Sequence, residues 1–136
     1  EGRRVIFSVV TAWFVQMRDE HKIDAFKVGY DRAPAGYWVE EMKSNGFTME
    51  PVAQGAFTWS QPMREMGAAL TDKIVNYNNN PILLWCLSNT AVKKSGLNNI
   101  QPVKITDKRR IDGAVSLLNA WVIYVKYFDD YMYNVG

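Results

Sequence analysis

One cysteine and one histidine are all the thiol or imidazole ligands that these 136 residues offer a metal. Cys86 alone cannot close an internal disulfide, and Cys86 with His21 cannot build a four-ligand structural zinc site. Such a chain suits a reducing compartment, and any metal it holds is expected to be oxygen-ligated. No apolar run comes near the roughly 20 residues that span a bilayer, so no membrane span is expected. The G-x-x-x-x-G-K-[ST] word that cradles nucleotide phosphates is missing, which excludes a P-loop ATPase site. Neither an internal repeat, a low-complexity segment nor a domain linker is found. The chain opens on Glu1 without a signal-peptide pattern.

An apolar fraction of 48% can bury a core, and the length is one domain's worth. The net charge of +2 is unevenly spread. Lys93, Lys94, Lys104, Lys108, Arg109 and Arg110 face only Asp107 and Asp112 in their region, so the rest of the chain is slightly acidic. A cationic strip beside carboxylates fits a polyanion gripped by its phosphates, and it equally fits a solvated Lys/Arg face.

Local patterns predict an α/β order. Val9, Val10, Trp13, Phe14 and Met17 recur at helical spacing over 9–20, and His21 follows as an exposed helix-end residue. Residues 25–30 read as a short buried parallel strand ending at Asp31, the end at which active-site residues commonly lie. A turn at 32–36, a helix over 37–43 stopped by Asn45-Gly46, and a strand over 47–53 complete a right-handed crossover unit. Gln54 would sit near the end of the second strand. Ser60 with Pro62 predicts a helix start running to about Lys73, and Pro81 a short helix through about Asn89, with Cys86 in its core. Residues 91–94 and 100–105, around Ser95-Gly96-Leu97-Asn98-Asn99, read as a β-hairpin with lysines on both arms. Tyr124, Tyr127, Phe128, Tyr131 and Tyr133 form an aromatic tail, read first as packing and secondarily as a stacking platform.

The hairpin runs through Lys108-Arg109-Arg110 into what reads as the longest helix, with Ile111, Val115, Leu118, Val122 and Val125 on one face and Asp112, Ser116 and Asn119 on the next. Asp112 in a first helical turn is explained by the macrodipole alone. It is explained as well by sharing a divalent metal with Asp31, an acid at a strand end facing an acid at a helix start.

Five words carry a resemblance. Val28-Gly29-Tyr30-Asp31-Arg32, Pro51-Val52-Ala53-Gln54-Gly55, Asn80-Pro81-Ile82-Leu83-Leu84-Trp85-Cys86-Leu87-Ser88-Asn89, Asn99-Ile100-Gln101-Pro102-Val103-Lys104 and Arg109-Arg110-Ile111-Asp112-Gly113 stand in this order. Together they resemble the C-terminal nuclease domain of tailed-phage or prophage terminase large subunits, over nearly the whole chain. The resemblance implies a ribonuclease H-like fold whose three acids bind two Mg²⁺ or Mn²⁺ ions and cut double-stranded DNA during genome packaging. It implies portal protein and small terminase subunit as partners, and the host bacterial cytoplasm as location. Asp31 corresponds to the acid ending the central strand and Asp112 to the acid opening the last helix. The first acid matches nothing here; the chain is expected to begin downstream of the β-meander that carries it, and to be nearly inactive alone. Its strand at 25–30, missing that meander, would offer an edge for self-association. The family often has an Asp near Ser95, where this chain has Ser95-Gly96. Low sequence specificity is expected, because nothing resembles a recognition helix. The alternative is a non-catalytic DNA-binding or portal-interaction remnant of a prophage terminase, and beyond it an unrelated α/β binding domain whose acids cap elements.

Overall fold

The computed structural model describes residues 4–135. It divides into two compact units, Glu1–Pro51 and Val52–Gly136.

In the first unit, helix α1 (Phe7–Asp19) is followed by strand β1 (Val28–Asp31), helix α2 (Gly36–Ser44) and strand β2 (Met49–Val52), whose last residue opens the second unit. β1 and β2 form a two-stranded parallel sheet joined through α2, the crossover that their spacing predicts. Both strands are shorter than the apolar runs that mark them. Asp31 is the last residue of β1 and does not follow it. Apolar side chains make the core: Val28, Ala35, Val39, Met42, Phe47 and Met49 are buried, with Phe14 and Trp38 packed against them. Gly46, at φ +89°, ends the turn after α2, and the Phe47 amide donates back to the Met42 carbonyl at 3.1 Å. His21 is exposed beyond the end of α1.

The second unit holds helices α3 (Ala56–Thr71) and α4 (Pro81–Ser88), the antiparallel strands β3 (Thr90–Ser95) and β4 (Asn99–Lys104), and helices α5 (Asp112–Lys126) and α6 (Phe128–Asn134). Pro81 starts α4 as the sequence implies, and Asn80, which the sequence reading did not single out, caps it, its side chain accepting from the Ile82 and Leu83 amides. Three expectations are corrected. α3 starts at Ala56, more than a turn before Ser60, and Pro62 lies inside the helix. Ser60 is not a cap because its hydroxyl is committed elsewhere, to β4. At 16 residues α3, not the 15-residue α5, is the longest helix. The buried face of α5 is also rotated, running through Ala114, Leu118, Asn119 and Ile123, while Val125 is 48% exposed.

The hairpin register pairs Thr90 with Lys104, Val92 with Pro102, and Lys94 with Ile100; Ala91, Lys93 and Ser95 face Val103, Gln101 and Asn99. Gly96 and Asn98 carry the positive φ values that close the three-residue turn, with Leu97 at its exposed tip.

Candidate functional site

The two candidate acids are each placed by a local device. Asp31 ends β1 half-buried, and its Oδ1 accepts the Ala33 amide at 3.1 Å, an Asx turn that starts the reversal into α2. Asp112 is the first residue of α5 and is exposed, and its carboxylate makes no hydrogen bond or ion pair among the described residues. Such a carboxylate is available to the helix N-terminus or to a cation. The acids belong to different units.

Directly behind Asp112, Gly113 is a contact point. A Cβ there would stand 3.1 Å from Cys86 Sγ and 3.3 Å from Cys86 Cβ. Any side chain there would require Cys86, buried as expected, to give way by a few tenths of an ångström, so Gly113 suits the close approach of α5 to α4 just after Asp112.

The cations are held by a buried residue that sequence reasoning quoted only as part of a longer word. Asn89, 3% exposed at the end of α4, accepts the Ile105 amide on its backbone oxygen at 2.9 Å and donates Nδ2 to the Arg110 carbonyl at 3.0 Å. Residues 105–110 thus leave β4 and return to the same point. Within that loop the Arg109 amide donates to the Thr106 carbonyl at 3.0 Å. Lys93, Lys94, Lys104, Lys108, Arg109 and Arg110 are all exposed, and none forms an ion pair among the described residues. The six do not share one face. Directly opposed residues of an antiparallel pair lie on the same face and neighbours alternate, so Lys94 and Lys104 are on one side of the hairpin and Lys93 is on the other.

A polar bracket fixes the hairpin and α5 to α3. Ser60 Oγ accepts the Ile100 amide at 2.8 Å and lies 3.1 Å from the Ile100 carbonyl, so α3 covers the outer edge of β4. Arg64 donates to the Asn98 carbonyl at the turn. Asn119, expected on a polar face of α5, is buried and accepts Trp59 Nε1 at 3.2 Å and Gln54 Nε2 at 3.5 Å. Gln54, two residues past β2 and within the second unit, is therefore tied to α5. Lower down, Trp121 Nε1 and Gln61 Nε2 both donate to Glu65, at 3.0 Å each. The indole bond first and the amide second hold the Glu65 carboxyl below its ordinary value.

Oxygen donors suit a hard divalent cation. Their number falls short: among the described residues no three His, Cys, Asp or Glu side chains gather as a metal-holding group. The groove between α1 and α2, lined by Thr11, Ala12, Val15, Glu41 and Asn45 among others, contains neither candidate acid. In the tail, Tyr124 meets Phe128 and Tyr131 edge-on at 5.4 and 6.4 Å, which is packing, while Tyr133 is exposed.

The class defined by these elements is a mixed α/β domain with a parallel strand pair, a hairpin and an acid at a strand end and at a helix start. The crystal structure of the HK97 bacteriophage large terminase has a similar fold, with a TM-score of 0.77 at 20% identity over 90% of this chain and 26% of that one. Protein YmfN of Escherichia coli (strain K12) is 35% identical over 71 residues, 51% of this chain and 16% of YmfN. The chain therefore spans about a quarter or less of the proteins it is similar to. Residues 8–126 match the family model for the terminase large subunit, endonuclease domain, and the chain belongs to that family.

Proposed function

We propose that this chain is the metal-dependent endonuclease domain of a phage or prophage terminase large subunit, of ribonuclease H-like fold, which cuts concatemeric double-stranded DNA during genome packaging. The family match over residues 8–126 carries this reading. Asp31 and Asp112 are assigned as two carboxylate ligands of a Mg²⁺ or Mn²⁺ site, and Lys93, Lys94, Lys104, Lys108, Arg109 and Arg110 as candidate phosphate contacts. Two ions, where a complete site holds them, supply an activated water and stabilise the leaving oxygen of a phosphodiester. Two carboxylates are fewer ligands than such a pair needs, so this chain alone is expected to hold ions weakly and to be nearly inactive. Its own residues contribute the grip and the placement: the loop at 105–110 is held by Asn89, and Asp112 stands just before the close approach of Gly113 to Cys86. Among the described residues no helix is long and apolar enough to cross a membrane. Portal protein and small terminase subunit are the proposed partners, the host cytoplasm the proposed location, and self-association through β1 a proposed property of the isolated chain.

Asp112→Asn in the full-length protein tests the assignment. The expected result is loss of plasmid cleavage in Mg²⁺ or Mn²⁺ with fold and DNA binding retained; unchanged cleavage removes Asp112 from the mechanism. The donor count favours one second reading, a non-catalytic DNA-binding or portal-interaction module. In that case the full-length protein binds DNA and never cuts it.

A further inference from the structure

We propose that one face of the β3–β4 hairpin, continued by the loop at 105–110, is a track for a single strand of the DNA backbone: Lys94, Lys104, Lys108, Arg109 and Arg110 meet its phosphates and Lys93 does not. This inference rests on the DNA-acting reading above and sorts its six cations by geometry.

Register divides the hairpin into two faces. One carries Thr90, Val92, Lys94, Ile100, Pro102 and Lys104, and the other carries Ala91, Lys93, Ser95, Asn99, Gln101 and Val103. The second face is the covered one. Every residue on it except Lys93 is half-buried, and Asn99 Oδ1 lies 3.4 Å from Ser60 Oγ of α3. The first face is the more open one: Lys94 and Lys104 are exposed and Val92 is 60% exposed, while Thr90, Ile100 and Pro102 on it are half-buried. It holds no acid, so nothing along it repels a phosphate backbone.

Spacing and continuity point the same way. Lys104 lies opposite Thr90, four residues along β3 from Lys94, a separation of about 14 Å at roughly 3.4 Å per residue. Because the backbone winds around the axis, consecutive phosphates of one B-DNA strand lie about 7 Å apart through space, roughly twice their 3.4 Å rise, so the two lysines fit phosphates about two apart on one strand. From Lys104 the chain enters the loop whose two ends Asn89 holds, at the Ile105 amide and the Arg110 carbonyl. The loop cations therefore follow directly on the Lys104 end of the hairpin. Asp107 is the acid in that loop and lowers its charge by one. Lys93 reaches solvent from the opposite side, away from this line.

The test is the salt dependence of binding to a short mixed-sequence DNA duplex, followed by fluorescence anisotropy without divalent ions. Lys94→Ala and Lys104→Ala should each make the log–log slope shallower by about 0.9, and their double substitution should add the two effects. Lys93→Ala should leave the slope at the wild-type value. Lys94→Glu should weaken binding more than Lys94→Ala, and a circular dichroism spectrum matching wild type shows that each variant is folded. A Lys93→Ala slope as shallow as that of Lys94→Ala overturns the face assignment, as does a set of lysine variants that all match wild type. Cleavage by the full-length protein that is lost in Asp112→Asn keeps the nuclease reading standing in either case. Absence of duplex binding and of cleavage removes both.

Discussion

The two units solve the same problem, fixing short elements in place, by different means. In the first unit nearly everything buried is apolar. Its buried polar side chain, Thr11, bonds inside its own helix, to the Phe7 carbonyl at 3.3 Å. Its indole Trp38, set among Phe7 and Phe14, buries an Nε1 that has no acceptor among the described residues. In the second unit the buried polar residues Ser60, Asn89 and Asn119 each bond to a different element, and the indoles Trp59 and Trp121 both find side-chain acceptors. A strand–helix–strand crossover is specified by burying its faces. A hairpin, a charged loop and a helix start have little apolar surface to bury, so directed hydrogen bonds must place them. The polar brackets accordingly lie where the candidate cations and Asp112 have to be positioned.

Asn89 offers the largest way to break this contrast. Asn89→Ala removes the donor to the Arg110 carbonyl, and leaving a buried polar group unpaired costs about 1–3 kcal/mol. The loss should appear in chemical denaturation, and amide exchange should show it concentrated in residues 105–111. Asn89→Asp should do no better, since a carboxylate cannot donate to a carbonyl. A uniform loss of protection across the second unit would mean that Asn89 supports the whole unit and does not selectively hold the loop.

The indoles provide a smaller and more direct comparison. Trp121→Phe forfeits the bond to Glu65, worth about 0.5–1.5 kcal/mol. Trp38→Phe removes an N–H that has no acceptor to lose, so it should cost less than Trp121→Phe, the smaller ring being offset by relief of the unpaired donor. Thermal midpoints of the two variants decide it. Equal losses would mean that ring volume, not hydrogen bonding, sets the value of both sites.

How much of this was legible in the sequence follows the same division. The crossover, the helix start at Pro81, the hairpin and the buried Cys86 all follow from periodicity and turn chemistry, which act over a few residues. The start of α3 was misplaced because Ser60 and Pro62 carry a local start signal that a tertiary bond from Ser60 to β4 overrides. The rotation of α5 depends on Asn119 being drawn inward by Trp59, sixty positions away in sequence. At the candidate site, the acids and cations could be named from residue type and from resemblance to a family. The division of the lysines between two hairpin faces could have been found by counting the register across the turn. The clamp at Asn89 could not, because an Asn at a helix end reads as an ordinary C-terminal residue until the carbonyl it holds is known.

The last contrast is electrostatic and should be the smallest. Glu65 bridges α3 to Trp121 of α5, and its carboxyl is held below the ordinary 4.5 first by the indole N–H and then by Gln61. A folded-state value below the unfolded one means that the carboxylate's contribution is fully present above the unfolded pKa. It is lost as pH falls through the folded value. Stability should therefore decline on acidification from about pH 5 downward, and Glu65→Gln, which keeps an acceptor oxygen for the indole but cannot titrate, should flatten that part of the curve. Other carboxylates contribute to acid unfolding, so the difference between wild type and Glu65→Gln is the quantity to measure. The Trp121 indole N–H resonance, assigned by its disappearance in Trp121→Phe, should shift with pH in wild type and stay constant in Glu65→Gln. An indole resonance that titrates identically in both would show that Glu65 is not its partner in solution, and that the lower bracket between α3 and α5 is held by packing.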